Sequence, residues 1–203
     1  VWRRRLTDHS GLGITMAPLI YDGTIIVGTA PGGKTSYEYE AGAGGKVFCL
    51  DLDSGATLWL WETTTDNLWG NPHVNSGGGV WYPPSVDENG VFYFGIGNAA
   101  PFPGTDEFPN GSSRPGPNDY ASCLVALDAR QGTVLWYINV KPHDLFDHDN
   151  QLTPIVATIT LGGKKRDVVF TSGKHGYVLA ADRLTGEELW RTAVGEHEND
   201  HLQ

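Results

Sequence analysis

Between Pro142 and Gln151 the chain gathers three carboxylates, Asp144, Asp147 and Asp149, and two imidazoles, His143 and His148. Strand-like runs flank this stretch at 135–140 and 153–159. In an extended segment residues two apart point the same way, so the spacing predicts that Asp147 and Asp149 present paired carboxylates in one direction. Two like charges that close share either a proton or a cation, and a hard cation such as calcium takes several oxygen ligands. The plainer reading is an Asp-rich turn, because Asp accepts hydrogen bonds from its own backbone. The two imidazoles can ligate a transition metal, but no third soft ligand stands nearby, which points to surface or supporting roles for His143 and His148. His73, His175, His197 and His201 show no ligand spacing.

Composition narrows the setting. With 203 residues the chain can bury one sizeable core, and 27 Gly, 12 Pro and 11% aromatic residues suit a turn-rich β protein. No long helical periodicity runs through it. A net charge of -10 argues against a nucleic-acid partner, since phosphate binding needs clustered Lys and Arg. The basic run Arg3-Arg4-Arg5 reads as a solvated strand end. No apolar leader and no stretch long enough to span a bilayer is present. Cys49 and Cys123 occupy matching places in two repeats and read as small buried apolar residues rather than halves of a disulfide, so cysteine does not report the compartment.

The repeats supply the framework. Asp51 to Trp59, Asp128 to Trp136 and Asp182 to Trp190 each follow D-x-x-x-G-x-x-x-W, with Gly55, Gly132 and Gly186 at the fifth place. An apolar run precedes each copy, so each reads as strand, tight turn with Gly at positive φ, and strand ending in a large aromatic. Two more strand-like runs lie upstream of each, joined by Asp22-Gly23, Asn89-Gly90 and Gly162-Gly163, which are hairpin signals. Four antiparallel strands per unit is the composition of a propeller blade. The expected blades are roughly 13–63, 79–140 and 150–194, with 1–12 as the end of a preceding blade and Val1-Trp2-Arg3 as its last strand. Insertions at 29–45 and 98–121 mark a binding face. Three blades and a stub cannot close a ring of about 4–8 blades, so the chain reads as the middle of a larger protein.

These repeats resemble the tryptophan-docking repeats of the eight-bladed quinoprotein dehydrogenases that carry pyrroloquinoline quinone (PQQ). Non-catalytic propellers share the repeat, but the inserted segments add specificity. Gly95-Ile96-Gly97-Asn98-Ala99-Ala100-Pro101 is similar to the family's G-x-G-N-P-A-P segment, and Arg114-Pro115-Gly116-Pro117-Asn118 to its R-P-G-x-N segment. Pro142 to Asp147 resembles P-H-D-x-W-D, Gly77 to Trp81 a glycine-rich stretch ending in Trp, and Gly173-Lys174-His175-Gly176 the family's Lys or Arg turn. The resemblance implies that Trp59, Trp136 and Trp190 are structural, stacking between blades. It implies Asp147 as catalytic base, Lys174 as catalytic and cofactor-binding cation at the quinone oxygens, Trp81 as the cofactor's stacking plane, and Asn98 beside cofactor and metal. It implies Asn98, Asp147, Asp149 and Glu40 as metal ligands, Asp149 matching the extra carboxylate of lanthanide-using members. Two departures stand out: Gly44 replaces the Arg of the family's G-A-E-x-G-x-R-G segment around Glu40, with Glu38 nearby, and Phe146 replaces a commoner Trp. Without Glu40 the metal keeps only Asn98, Asp147, Asp149 and the cofactor.

The implied chemistry suits these residue types. Oxidation of an alcohol by a quinone needs a polarised carbonyl and removal of the substrate proton. A calcium-like or lanthanide ion supplies Lewis acidity, amide and carboxylate oxygens are the ligands it prefers, and a carboxylate beside it can act as base. The resemblance therefore implies oxidation of an alcohol or a sugar or polyol hydroxyl, with electrons passing to cytochrome c or a membrane quinone outside the cytoplasmic membrane, in the periplasm. The alternatives are a propeller that keeps the repeats without the cofactor and serves as a protein-binding scaffold, and a carbohydrate-binding propeller.

Overall fold

The computed structural model describes residues 1–31, 42–64, 69–198 and 200–202. Among them, three four-stranded antiparallel sheets follow one another in chain order, each a simple meander. The first blade comprises Leu19–Tyr21, Thr24–Gly28, Lys46–Asp51 and Thr57–Glu62. The second comprises Ser85–Val86, Val91–Gly95, Cys123–Asp128 and Val134–Asn139. The third comprises Ile155–Leu161, Lys164–Ser172, Tyr177–Asp182 and Glu188–Ala193. The all-β propeller architecture expected from the repeats is what forms. No described helix is long and apolar enough to cross a membrane.

Several strands are shorter than the apolar runs suggest. In the first two blades the innermost strand shrinks to Leu19–Tyr21 and Ser85–Val86, because Pro18, Pro83 and Pro84 lack the N–H a ladder requires. Residues 1–9 join no ladder, so the strand expected at Val1-Trp2-Arg3 is not formed among the described residues.

Trp2 instead makes the contact that explains the repeat. Its indole N–H donates to the Leu52 carbonyl at 3.0 Å, Trp59 donates to Ala129 at 3.0 Å, and Trp136 donates to Arg183 at 3.2 Å. Each acceptor directly follows the turn Asp of the next repeat. The same ring covers that repeat's glycine: a Cβ on Gly55, Gly132 or Gly186 would lie 2.6, 2.5 or 2.6 Å from the indole of Trp2, Trp59 or Trp136. These glycines also have φ of 70°, 67° and 73°, so the position excludes side chains twice over. The Asp closes the turn. Asp128 Oδ1 accepts from the Arg130 and Gln131 amides at 2.9 and 2.8 Å, while the Gly132 amide donates to the Asp128 carbonyl at 2.8 Å. A ladder irregularity recurs just before each of these aspartates, at Cys49/Leu50, Ala126/Leu127 and Ala180/Ala181.

The core lies between blades. On the third strand of the second blade, Cys123, Val125 and Leu127 face the first blade and pack with Val47, Cys49 and Trp59. Leu124 and Ala126 point the other way and pack with Val169, Leu179 and Ala181 of the third blade. A strand buried on both faces is apolar throughout rather than alternating, which is why these runs read as continuous. Cys49 and Cys123 are buried free thiols within that packing.

Overpacking a well-filled site costs about 1–3 kcal/mol, and Gly132→Ala should lower the stability of the full-length protein by that much. In a Trp59→Ala background the added cost should shrink, because the clashing ring is gone. Denaturant titration of the two pairs of variants measures this; equal costs in both backgrounds would break the link between glycine and indole.

Candidate active site

Antiparallel order decides which loops share a face. In a four-stranded meander, the turn between strands two and three and the connection to the next blade emerge at the same end, and the turn between strands three and four emerges at the other. The D-x-x-x-G turns are of the second kind. Trp81 lies on the connection entering the second blade, Asn98 between that blade's second and third strands, Asp147 and Asp149 on the connection entering the third blade, and Lys174 on its turn between strands two and three. All five therefore gather at the face opposite the docking turns.

There they meet. Lys174 Nζ lies 2.9 Å from Asp147 Oδ2 and 2.5 Å from Asp149 Oδ2. The Asn98 amide N–H donates to Asp149 Oδ1 at 2.7 Å, and the Lys174 ammonium sits 5.7 Å from the centre of the Trp81 ring. Gly97 closes the group: a Cβ there would stand 2.9 Å from Asp149 Oδ1 and 3.2 Å from the Trp81 ring. Asp149 is fully buried. Burial pushes its carboxyl well above the usual carboxylate range, against the pull of Lys174 and of the Asn98 N–H. Burial also draws Lys174 down, but its bonds to Asp149 and Asp147 outweigh that and hold it above its ordinary value.

The two acids converge by a different route from the one expected. Residues 142–154 form no strand, and Asp147 sits at φ 62°, in the left-handed region that few residues with a side chain adopt. Asp144 makes that turn possible. Its Oδ1 accepts from the Phe146 amide at 2.8 Å and its Oδ2 from the His148 amide at 2.6 Å, so a buried carboxylate wraps the backbone around Asp147. The Asp-rich turn and the convergent acid pair are thus one object, with Asp144 serving the first and Asp147 and Asp149 the second.

Sequence reasoning assigned no role to Asp144 or to the residues beneath it. Arg114 is completely buried; its Nη2 donates to the carbonyls of Pro101 at 3.1 Å and Asp144 at 2.7 Å, and its Nη1 to Asn118 Oδ1. Burial pulls its guanidinium down to about 10, against the Asp144 charge. The Asn118 amide donates to the Pro142 carbonyl at 2.6 Å. The inserted Arg114–Asn118 segment therefore pins the acid-bearing loop from below; its likeness to the R-P-G-x-N segment marked it in the sequence, but nothing there told what it would hold. His143 hydrogen-bonds the Gly116 carbonyl at 2.9 Å through Nδ1, a supporting position like the one expected. Glu40 and Glu38 lie outside the described residues.

The oxygens suit a hard cation. Asn98 Oδ1 and Asp147 Oδ1 are buried atoms that accept no hydrogen bond, while the Asn98 Nδ2 donates to the Ala99 carbonyl at 3.1 Å. A buried oxygen without a partner is unfavourable, and carboxylate and amide oxygens are donors that calcium-like ions accept. Among the described residues no three His, Cys, Asp or Glu side chains form a metal-sized group.

Known proteins share this arrangement of sequence and fold. The quinoprotein alcohol dehydrogenase PedH of Pseudomonas putida is 28% identical over 215 residues, spanning 92% of this chain and 33% of its own length. The lanthanide-dependent methanol dehydrogenase of Methylacidiphilum fumariolicum is 27% identical over 218 residues, again 92% of this chain and 33% of its own. The crystal structure of the quinohemoprotein alcohol dehydrogenase of Comamonas testosteroni superposes with a TM-score of 0.78 at 25% identity, over 91% of this chain and 29% of that one. The chain thus spans about a third of the length of such relatives. Residues 3–198 match the PQQ glucose/ethanol/alcohol dehydrogenase β-propeller domain, and this chain, in which Trp2, Trp59 and Trp136 each dock onto the following blade, belongs to that family.

Proposed function

We propose that this chain forms part of the cofactor-bearing face of an alcohol dehydrogenase that uses PQQ with calcium or a lanthanide ion to oxidise an alcohol or a sugar or polyol hydroxyl. The observation that carries the reading is the convergence of Asp147, Asp149, Asn98 and Lys174 beside the Trp81 ring, on the face opposite the docking turns. When bound, the quinone supplies hydride acceptance and the cation supplies Lewis acidity. Asn98, Asp147 and Asp149 would hold the cation, with Glu40 as a further candidate ligand. Trp81 offers the planar surface on which the cofactor stacks.

The chain's own residues divide the remaining work. Lys174 engages one oxygen of Asp147 and leaves the other, Oδ1, without a hydrogen-bond partner, which suits Asp147 to accept the substrate's hydroxyl proton as general base. The ammonium lies where it stabilises negative charge developing on an oxygen held against Trp81. Phe146, exposed beside Asp147 and 5.9 Å from the His148 ring centre, supplies an apolar wall for the substrate carbon. The names of the quinohemoprotein relatives speak for a haem in those proteins; cytochrome c or a membrane quinone as electron acceptor, in an extracytoplasmic, periplasmic setting, is part of the same proposal.

Three measurements test this reading. The full-length protein, reconstituted with PQQ and calcium or lanthanum, should take up the quinone and reduce dye in the presence of alcohol. Failure to take up the quinone would favour a protein-binding scaffold. Asp147→Ala should lower turnover by about 10²–10⁴-fold, the scale of general-base catalysis, while quinone absorbance persists; turnover that survives moves the base elsewhere. Asp149→Ala should weaken lanthanide-supported activity by at least about tenfold, since losing a group that only orients a metal ligand already costs about 10–100-fold, and calcium-supported activity by less. Equal losses would count against Asp149 as a lanthanide ligand.

A further inference from the structure

Directly after Lys174 lies an imidazole with no assigned role. His175 is 3% exposed. Its Nδ1 accepts the Tyr177 amide N–H at 3.1 Å, and its Nε2 lies 2.9 Å from Asn150 Oδ1. An acceptor at Nδ1 places the proton on Nε2, so Nε2–H donates to the Asn150 carbonyl oxygen. Burial, reinforced by the positive charges of Arg191 and Lys141, holds the imidazole down to about 4. It is therefore neutral, as both bonds require.

Asn150 is a junction. Its Oδ1 also accepts the Thr171 hydroxyl at 2.9 Å, and its backbone amide donates to the Ile96 carbonyl at 3.2 Å, two residues before Asn98. It directly follows Asp149. The His175–Asn150 bond thus adds a side-chain tie to the backbone bond from the Lys174 amide to the Asp149 carbonyl at 2.8 Å; both join the turn bearing Lys174 to the loop bearing Asp147 and Asp149, and Asn150 continues through Ile96 to the segment bearing Asn98. The imidazole is braced from behind: Tyr177 stacks on it at 6.0 Å with an interplanar angle of 20°. Tyr177 in turn donates its hydroxyl to Asp200 Oδ2 at 2.6 Å, and Lys141 pairs with Asp200 Oδ1 at 2.9 Å.

The Lys174 side chain needs such a fixture. It is long, carries substantial rotamer entropy, and remains 43% exposed while contacting both carboxylates. We propose that His175 is a positioning residue that sets the Lys174 ammonium against Asp147 and Asp149, by tying the turn that bears the lysine to the loop that bears the acids through Asn150. Its relevance to catalysis rests on the quinone-dehydrogenase reading above, but the geometric role does not.

The test compares full-length wild type, His175→Ala and His175→Gln for the rate at which acetic anhydride acetylates Lys174, read by peptide mass spectrometry, with PQQ absorbance followed in parallel. An ammonium held by two carboxylates reacts slowly. His175→Ala should raise the Lys174 rate roughly tenfold, the scale of one lost hydrogen bond, and leave Lys164 and Lys165 unchanged. His175→Gln, whose amide nitrogen can replace Nε2 as donor to Asn150, should restore most of the protection. An unchanged Lys174 rate in His175→Ala, an equal rise at Lys164 and Lys165, or no rescue by Gln each overturns the proposal. Should His175→Ala fail to fold, Asn150→Ser removes the same bond from the other side and must give the same rise, a flat rate there being fatal to it. If wild type takes up no PQQ while the labelling contrast holds, the quinone reading falls and the positioning role stands.

Discussion

Trp59 reaches out of its own blade, lays its ring on Gly132 of the next and donates its indole N–H to the Ala129 carbonyl. Trp2 does the same one blade earlier and Trp136 one blade later. The contact combines a large apolar surface with one directed bond, so it sets both the spacing and the rotation between neighbouring blades. Everything at the opposite face inherits that geometry. Loops from two blades and from the connections between them can meet only if the blades beneath are locked in relation to one another, and a glycine that accepts no side chain is what lets the indole lie flat.

The three docking turns carry different residues between Asp and Gly, Leu52-Asp53-Ser54, Ala129-Arg130-Gln131 and Arg183-Leu184-Thr185, because their chemistry is carried by one carboxylate, one positive φ and one ring. At the other face the constraint is electrostatic. Asp149 is a fully buried acid with one oxygen on a backbone N–H from the second blade and the other on an ammonium from the third. A buried charge is tolerated where it is paired and hydrogen-bonded, and here the pairing spans blades. That arrangement makes the acid a link between structural units as well as a candidate ligand. It also leaves Asn98 Oδ1 and Asp147 Oδ1 buried and without partners, the kind of local dissatisfaction that accompanies sites built to receive something.

Asp147 illustrates how such a site is held. A left-handed backbone conformation at a residue with a side chain persists only where its surroundings over-determine it, and Asp144, Arg114 and Asn118 do so from below. The insertion between strands two and three of the second blade thus has a structural purpose, to clamp the loop that follows one blade edge later. His175 and Asn150 clamp the other side.

The repeat, the strand order and the apolar runs were legible in the amino-acid sequence, because the D-x-x-x-G-x-x-x-W spacing records local rules: an Asp that caps its own turn, a Gly that accepts positive φ, and alternation that vanishes where a strand is buried on both faces. The residues Asn98, Asp147, Asp149, Lys174 and Trp81 could be singled out there by type and by resemblance. What the sequence could not convey was how the acids converge. An extended backbone was the reasonable local expectation for Asp147 and Asp149, but the pairing arises instead from a turn wrapped around the Asp144 carboxylate. The same holds for His175, whose spacing to any other ligand type is unremarkable and whose partner, Asn150, lies 25 positions away. Local hydrogen bonds and periodicity are properties of neighbours along the chain, whereas the meeting of Lys174 with two carboxylates depends on blade-to-blade registration, which only the folded protein decides.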